Sequence, residues 1–280
     1  MGVETLTITC GLGSALVWGA GDFTGGFATK QGNVLGVILF SQIVGGLLML
    51  ILALAFAENI PGSRHLVYGG LAGVAGAAGL SALYHGLATG TMGVVAPLSA
   101  VLTAVVPMLY GWVIEGMPEF FKIAGFVLAL MAVWFLSSPA GSVKIRLNAL
   151  LLPTGAGLGF GLFFVLISHA GETAVLWPLV SARAVSITLL GTILALTGKC
   201  RIPEKGPFIF IALTGILDAA GNALFVMASQ FGRLDMAAVL SSLYPISTVI
   251  LAWWVLGERL RAKQWIGIGT ALAALALITS

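Results

Sequence analysis

The sequence predicts an all-α membrane protein with ten transmembrane helices, and three observations carry that prediction. Hydrophobic residues make up 59% of the 280 and charged residues only 8%, where a soluble globular chain carries roughly 25% charged residues. So few charges cannot coat a surface facing water. Mean hydropathy is +1.08. The apolar residues also come in runs of the length, roughly 20, that crosses the hydrocarbon core as a helix.

Reading for such runs gives spans 5–29, 34–57, 66–88, 91–114, 119–137, 148–168, 175–197, 207–229, 235–256 and 263–279. Helices are required because lipid offers no partner for unpaired backbone groups, and a barrel would need short alternating segments. Each break carries Gly, Pro or charge, as at Gly32-Asn33, Pro61-Gly62, Gly90-Thr91, Met117-Pro118, Pro139-Ala140-Gly141 and Gly171-Glu172. No connection is long enough for a soluble domain. The two cysteines, Cys10 and Cys200, fit no metal-ligand spacing and read as small hydrophobes. No basic segment precedes the first apolar run, so a cleaved signal peptide is not expected. The net charge of +3 sits in loops, which speaks to membrane orientation and not to nucleic acid. No cofactor is called for.

The two groups of five spans resemble each other. Ala77-Ala78-Gly79 aligns with Ala219-Ala220-Gly221, Trp112-Val113 with Trp254-Val255, and Gly125 with Gly267, all at one offset of 142. An odd number of helices per copy inverts the second relative to the first. The expected organisation is therefore two inverted five-helix repeats, residues 1–140 and 141–280, with a substrate site where they meet near the midplane.

Leu243-Tyr244-Pro245, the run Leu251-Ala252-Trp253-Trp254-Val255-Leu256-Gly257-Glu258-Arg259-Leu260 and then Trp265-Ile266-Gly267 resemble the ending of an EamA-type repeat of the drug/metabolite transporter superfamily. Trp18-Gly19 is similar to that family's first-helix signature, and Ala82-Leu83-Tyr84 with Leu87-Ala88 to its third helix. The first half departs from the pattern: Glu115 is followed by Gly116-Met117 instead of Arg-Leu, and Leu102 stands where Pro245 stands in the second copy. The resemblance implies a ten-helix exporter of small metabolites, amino acids or drugs in the cell's inner (plasma) membrane. Its partners would be the bilayer, a small solute and, for a coupled carrier, protons, and it would work as a monomer or weak homodimer.

Three charges fall deep inside the spans, away from their ends: Asp22, Arg183 and Asp218. A charge at mid-membrane costs roughly 2.5–3.5 kcal/mol on insertion scales, so it faces the bundle interior with a partner or a role. Arg183 and Asp218 lie roughly 21 and 17 Å along their helices from the loop that joins them, so they can meet. They read either as an ion pair clipping two helices together or as a site in which Arg183 receives a carboxylate or Asp218 an amine. Asn222 shares the face of Asp218. Asp22 sits one turn beyond Trp18, with Gln42 and His85 expected in the same leaflet; it reads as a proton carrier or as an interfacial cap. Trp18 and Tyr244 lie deep enough to line a pocket, and Tyr84 joins them through the resemblance. His65 and His169 look like loop-edge residues.

The 38 glycines are explained by close helix packing, as in Gly69 with Gly73, Gly155 with Gly159 and Gly157 with Gly161. A phosphate-loop reading of 155–161 fails, since no strand precedes it and no Lys-Ser/Thr follows. Pro97, Pro107 and Pro245 each remove a helical hydrogen bond. A membrane enzyme would need clustered nucleophile, base or metal ligands, and none is evident; a non-transporting membrane subunit remains the other alternative. Loops after odd-numbered spans hold Lys30, Lys144, Arg146, Lys199, Arg201, Lys205, Arg259, Arg261 and Lys263, against Arg64, Lys122 and Arg233 after even ones. Cytoplasmic loops carry the excess of Lys and Arg, which places the termini outside, whereas the resemblance implies cytoplasmic termini.

Overall fold

A computed structural model describes residues 2–31, 34–89, 92–137, 150–197, 208–257 and 259–279. They form α1 (Val3–Gln31), α2 (Val34–Ala55), α3 (Ser63–Thr89), α4 (Met92–Glu115), α5 (Phe120–Ser137), α6 (Leu151–Ala170), α7 (Leu176–Thr197), α8 (Phe208–Phe231), α9 (Leu234–Ser241), α10 (Pro245–Leu256) and α11 (Ala262–Ile278). No strand occurs among the described residues. Among the described residues eight stretches are long and apolar enough to cross a membrane: α2 to α8 and the α9–α10 pair. At 17 residues α11 is short for that role, and the glycines, threonines and charges of α1 dilute an otherwise sufficient length. The outer faces suit lipid. Leu47, Ile51 and Leu54 on α2, and Val67, Leu71 and Val74 on α3, are exposed at helical spacing. Unbroken apolar stripes of this kind are not kept facing water.

The ninth span differs from an uninterrupted helix. It breaks over residues 242–244, and Pro245 opens α10 at its first turn. Proline has no N–H to donate and is at home at that position. Tight turn bonds bridge the gap, from Leu243 N to Leu240 O (3.3 Å) and from Ile246 N to Leu243 O (3.0 Å). Pro97 and Pro107, by contrast, lie within an unbroken α4. The broken span is held by α1. Ser241, Ser247 and Thr248 donate their hydroxyls to the carbonyls of Gly11, Ala15 and Gly19, one turn apart along α1. In lipid such side-chain donors are the local glue between helices.

Across the bundle, α1 packs on α8 as α6 packs on α3, and α2 on α8 as α7 on α3. α4 rests on α6 as α9 and α10 rest on α1, while α2 meets α7 and α5 meets α11. Glycine permits the closest crossings. A Cβ on Gly215 of α8 would collide with the Ser41 carbonyl and approach Gly45 N to 3.1 Å. We expect Gly215→Val to destabilise the protein by about 1–3 kcal/mol, the usual cost of overpacking, seen as a lower melting temperature in detergent. Gly191, with nothing within 4 Å of a built Cβ, should accept alanine with no loss; equal melting of both variants would refute the crossing.

The loops after even-numbered spans share one face, which also carries the termini, and hydrogen bonds knit it shut. The Glu58 carboxylate accepts the N–H groups of Val175, Leu176 and Trp177 at the start of α7, satisfying donors that a helix start leaves open. His169 bonds Tyr110 Oη at 2.7 Å and Glu172 at 3.1 Å, and its carbonyl meets His65 Nδ1 at 3.2 Å. Arg233 donates to the Glu115 and Gly116 carbonyls and to the fully buried Asp235. Those bonds to Asp235 raise the Arg233 guanidinium above its ordinary pKa. Lys122 pairs with Glu4 at 2.7 Å.

Candidate functional site

Among the described residues a cavity of about 280 Å³ opens at the middle of the bundle. Trp18 and Asp22 reach it from α1, Gln42 from α2, Arg183 from α7, Asp218 and Asn222 from α8, and Tyr244 from the break between α9 and α10. Both halves of the chain therefore contribute. The break matters here, because an uninterrupted ninth span would carry Tyr244 on a regular helix face.

Arg183 and Asp218 meet, as their positions along α7 and α8 allow. Arg183 donates Nη2 to Asp218 Oδ2 and Nη1 to Gln42 Oε1, and Ser186 Oγ donates to the same Gln42 oxygen at 3.3 Å. The arginine is only 8% exposed, whereas the side chain of Asp218 is 37% exposed, toward the cavity. The guanidinium is thus committed to protein partners, and a carboxylate oxygen faces the open space. The Asp218 carbonyl accepts from Asn222 Nδ2 at 2.6 Å and from Trp18 Nε1 at 3.3 Å. These bonds fix α1 against α8 beside the cavity.

Asp22 lies one turn beyond Trp18 with its side chain exposed to the cavity. No described residue hydrogen-bonds its carboxylate. Its titratable neighbours are Asp218 and the neutral hydroxyl of Tyr244, both close enough to act on it electrostatically. An unpartnered carboxylate at this depth is costly and signals a role.

The floor is aromatic. Trp18 stacks on Phe164 at 5.4 Å with rings 5° from parallel, and Phe225 closes the group at 4.3 Å from Phe164. Gly221 makes room for the indole, since a Cβ there would strike it. Phe160, Phe163, Gly76 and Leu80 complete an apolar side built by α3 and α6. These residues carry no sequence signal that separates them from phenylalanines and leucines facing lipid. His85 is exposed on α3 and does not line the cavity, and the side chain of Tyr84 lies outside the described part of the structure. The cluster around Glu58, His169 and Arg233, on the face of the even-numbered loops, carries no such signal either, because its members look like ordinary loop polar residues.

Residues 147–280 match the sequence profile of the EamA-like transporter family. The second half of this chain thus resembles an EamA-like unit. Two curated relatives are similar to part of this chain. An uncharacterized transporter of Bacillus subtilis (strain 168), YwfM, is 27% identical over 162 residues, covering 55% of this chain and 53% of the relative. An "uncharacterized transporter in cobO 3'region" of a Sinorhizobium species is 27% identical over 97 residues, 34% of this chain and 69% of that one. The alignment with YwfM thus spans about half of that protein's length. A solved crystal structure superposes with a TM-score of 0.79 over 98% of this chain and 96% of its own, at 17% identity. At that identity the likeness speaks to the fold alone. The EamA-like unit contributes Phe160, Phe163, Phe164, Arg183, Asp218, Asn222 and Tyr244 to the cavity, while Trp18, Asp22 and Gln42 come from the half outside the matched stretch.

Proposed function

We propose that this chain is a secondary transporter that carries a small metabolite, amino acid or drug-like solute across the inner (plasma) membrane by alternating access. The observation that carries the reading is the cavity at the middle of the bundle, lined by charges from both halves, Asp22 from the first and Arg183 and Asp218 from the second. Its size suits a metabolite, since it lies at the lower end of ligand pockets, roughly 300 Å³. Transport in the export direction follows from the family resemblance, and coupling to protons from Asp22.

The reading includes two inverted repeats, residues 1–140 and 141–280. Reciprocal packing supports it. Gly125 of α5 abuts Ile278 of α11 while Gly267 of α11 abuts Leu136 of α5, and both pairs exchange under the offset of 142. Gly79 faces Phe160 as Gly221 faces Trp18, again at that offset. Ile60-Pro61 and Ile202-Pro203 match at the same offset in the sequence. Two copies in opposite orientation can trade conformations, which turns one face closed and the other open.

Uptake of radiolabelled solutes into proteoliposomes, run across a metabolite panel, tests the carrier reading. Saturable flux that needs the protein supports it. Absence of flux for every solute, with monodisperse protein in the vesicles, favours a non-transporting membrane subunit.

Orientation follows from charge. In sequence, the loops after odd-numbered spans hold nine bases against Glu204 and Glu258, and those after even-numbered spans, with the N-terminal segment and the start of the ninth span, three bases against Glu4, Glu58, Glu115, Glu119, Glu172 and Asp235. We place the basic face in the cytoplasm and the termini outside. The cavity lining runs toward the end of the bundle that carries the odd-numbered loops, through Leu80, Leu83 and Leu190. A C-terminal green-fluorescent-protein fusion should stay dark while alkaline phosphatase at the same site is active. The opposite pair of signals reverses the assignment.

A further inference from the structure

The cavity has two unlike walls, and the repeat offset makes the difference plain. Asp22 corresponds to Phe164, Asp218 to Gly76, Asn222 to Leu80 and Trp18 to Phe160. All eight residues line the same cavity. One wall thus carries carboxylates and an amide where its counterpart carries phenyl rings, a leucine and a glycine. Charge is equally one-sided. Two carboxylates, Asp22 and Asp218, face the space, and the guanidinium of Arg183 is already bound by Asp218 and Gln42. His85 of α3 does not line the cavity.

We propose that the cavity takes an amphipathic organic monocation, its charged nitrogen at Asp22 and its apolar body against Phe160, Phe163 and Leu80. This rests on the reading of the cavity as the solute site. A cation completes the charge balance of two carboxylates and one guanidinium, whereas an anion adds a third negative charge in a medium that screens it poorly. Trp18 supplies an aromatic surface one turn from Asp22, a favourable neighbour for a cationic head. The carboxylate is the one strong acceptor in the cavity without a protein donor among the described residues, so it has its hydrogen-bonding capacity to give. The phenyl wall then recognises size and shape by contact.

Three probes of similar shape and different charge test this on the detergent-purified full chain: phenethylamine, phenethyl alcohol and hydrocinnamate, read by calorimetry and by shift of the melting temperature. Phenethylamine should bind and stabilise the protein, and the neutral and anionic probes should bind at least about tenfold more weakly, the scale of one charge-assisted hydrogen bond. Asp22→Asn should weaken phenethylamine by a similar factor, and Asp22→Glu should keep most of its affinity. Leu80→Trp, which fills the apolar side and leaves the charges in place, should weaken all three probes. Preference for hydrocinnamate overturns the proposal, as does phenethylamine binding that Asp22→Asn leaves unchanged, or no phenethylamine binding to wild-type protein. Should the metabolite panel show saturable flux of an anion, the carrier reading stands and the cation class falls. A flat panel with intact phenethylamine binding removes the carrier reading and keeps the cation site.

Discussion

Asp218→Asn should melt well below the parent protein in detergent, because it strands Arg183. The arginine is 8% exposed and spends its donors on Asp218 and Gln42. Removing one partner of a buried pair costs about 3–5 kcal/mol, since the remaining charge stays desolvated without compensation. We expect the lower end of that range. The Asp218 side chain is 37% exposed to the cavity, and asparagine keeps an oxygen that can still accept from the guanidinium. Removing both charges, as in Arg183→Met with Asp218→Leu, should recover most of the stability, since an apolar pair of similar volume carries no desolvation cost. Fluorescence-detected size exclusion after heating reads both variants. An Asp218→Asn protein that melts with wild type would show that α7 and α8 are not clipped by this pair.

How far the bundle and its cavity were legible in the sequence depends on which physical term each feature expresses. Span positions were legible because hydrocarbon thickness sets the run length, and each predicted span coincides with a helix or, for 235–256, with α9 and α10 together. The meeting of Arg183 with Asp218 followed from axial rise alone. The break at 242–244 was only half legible. Three prolines looked alike in the sequence, yet α4 absorbs Pro97 and Pro107 while the chain opens ahead of Pro245. The difference lies in tertiary partners: the hydroxyls of Ser241, Ser247 and Thr248 find α1 carbonyls, which no local pattern announces. The apolar wall was illegible for a related reason. Phe160 and Phe164 point inward and Phe120 and Phe121 outward, and in a bilayer both environments are equally apolar, so hydropathy cannot sort them. Glu58 looked like a loop acid, and only the packed start of α7 makes it a cap.

Asp22→Asn should abolish proton movement driven by a solute gradient. A coupled exchanger needs a group that holds either a proton or the solute, and Asp22 is placed for that. Three other described acids near the bundle interior or its ends are committed. Asp218 is bound to Arg183, Asp235 to Arg233, and Glu58 to the start of α7. The groups facing Asp22 are Asp218 from α8 and Tyr244 from the α9–α10 turn, with Arg183 of α7 turned toward Asp218. The described lining of α2, α3, α4 and α6 brings no further titratable side chain. A cation at Asp22 and a proton at Asp22 exclude each other, and linkage makes the exclusion reciprocal: each weakens the other by the same factor. Apparent affinity for the cation should therefore fall as pH falls through the range in which Asp22 titrates, by up to about tenfold per pH unit. The trimethylammonium analogue of phenethylamine suits a flux test, because it never becomes a free base that crosses lipid unaided. Added outside proteoliposomes loaded with a pH dye, it should make the lumen more alkaline as protons leave in exchange. With Asp22→Asn the signal should drop to that of empty vesicles, and with Asp22→Glu a fraction should return. Proton exit that persists in Asp22→Asn vesicles would take this carboxylate out of the coupling step, since no other described acid in the cavity lacks a cationic partner.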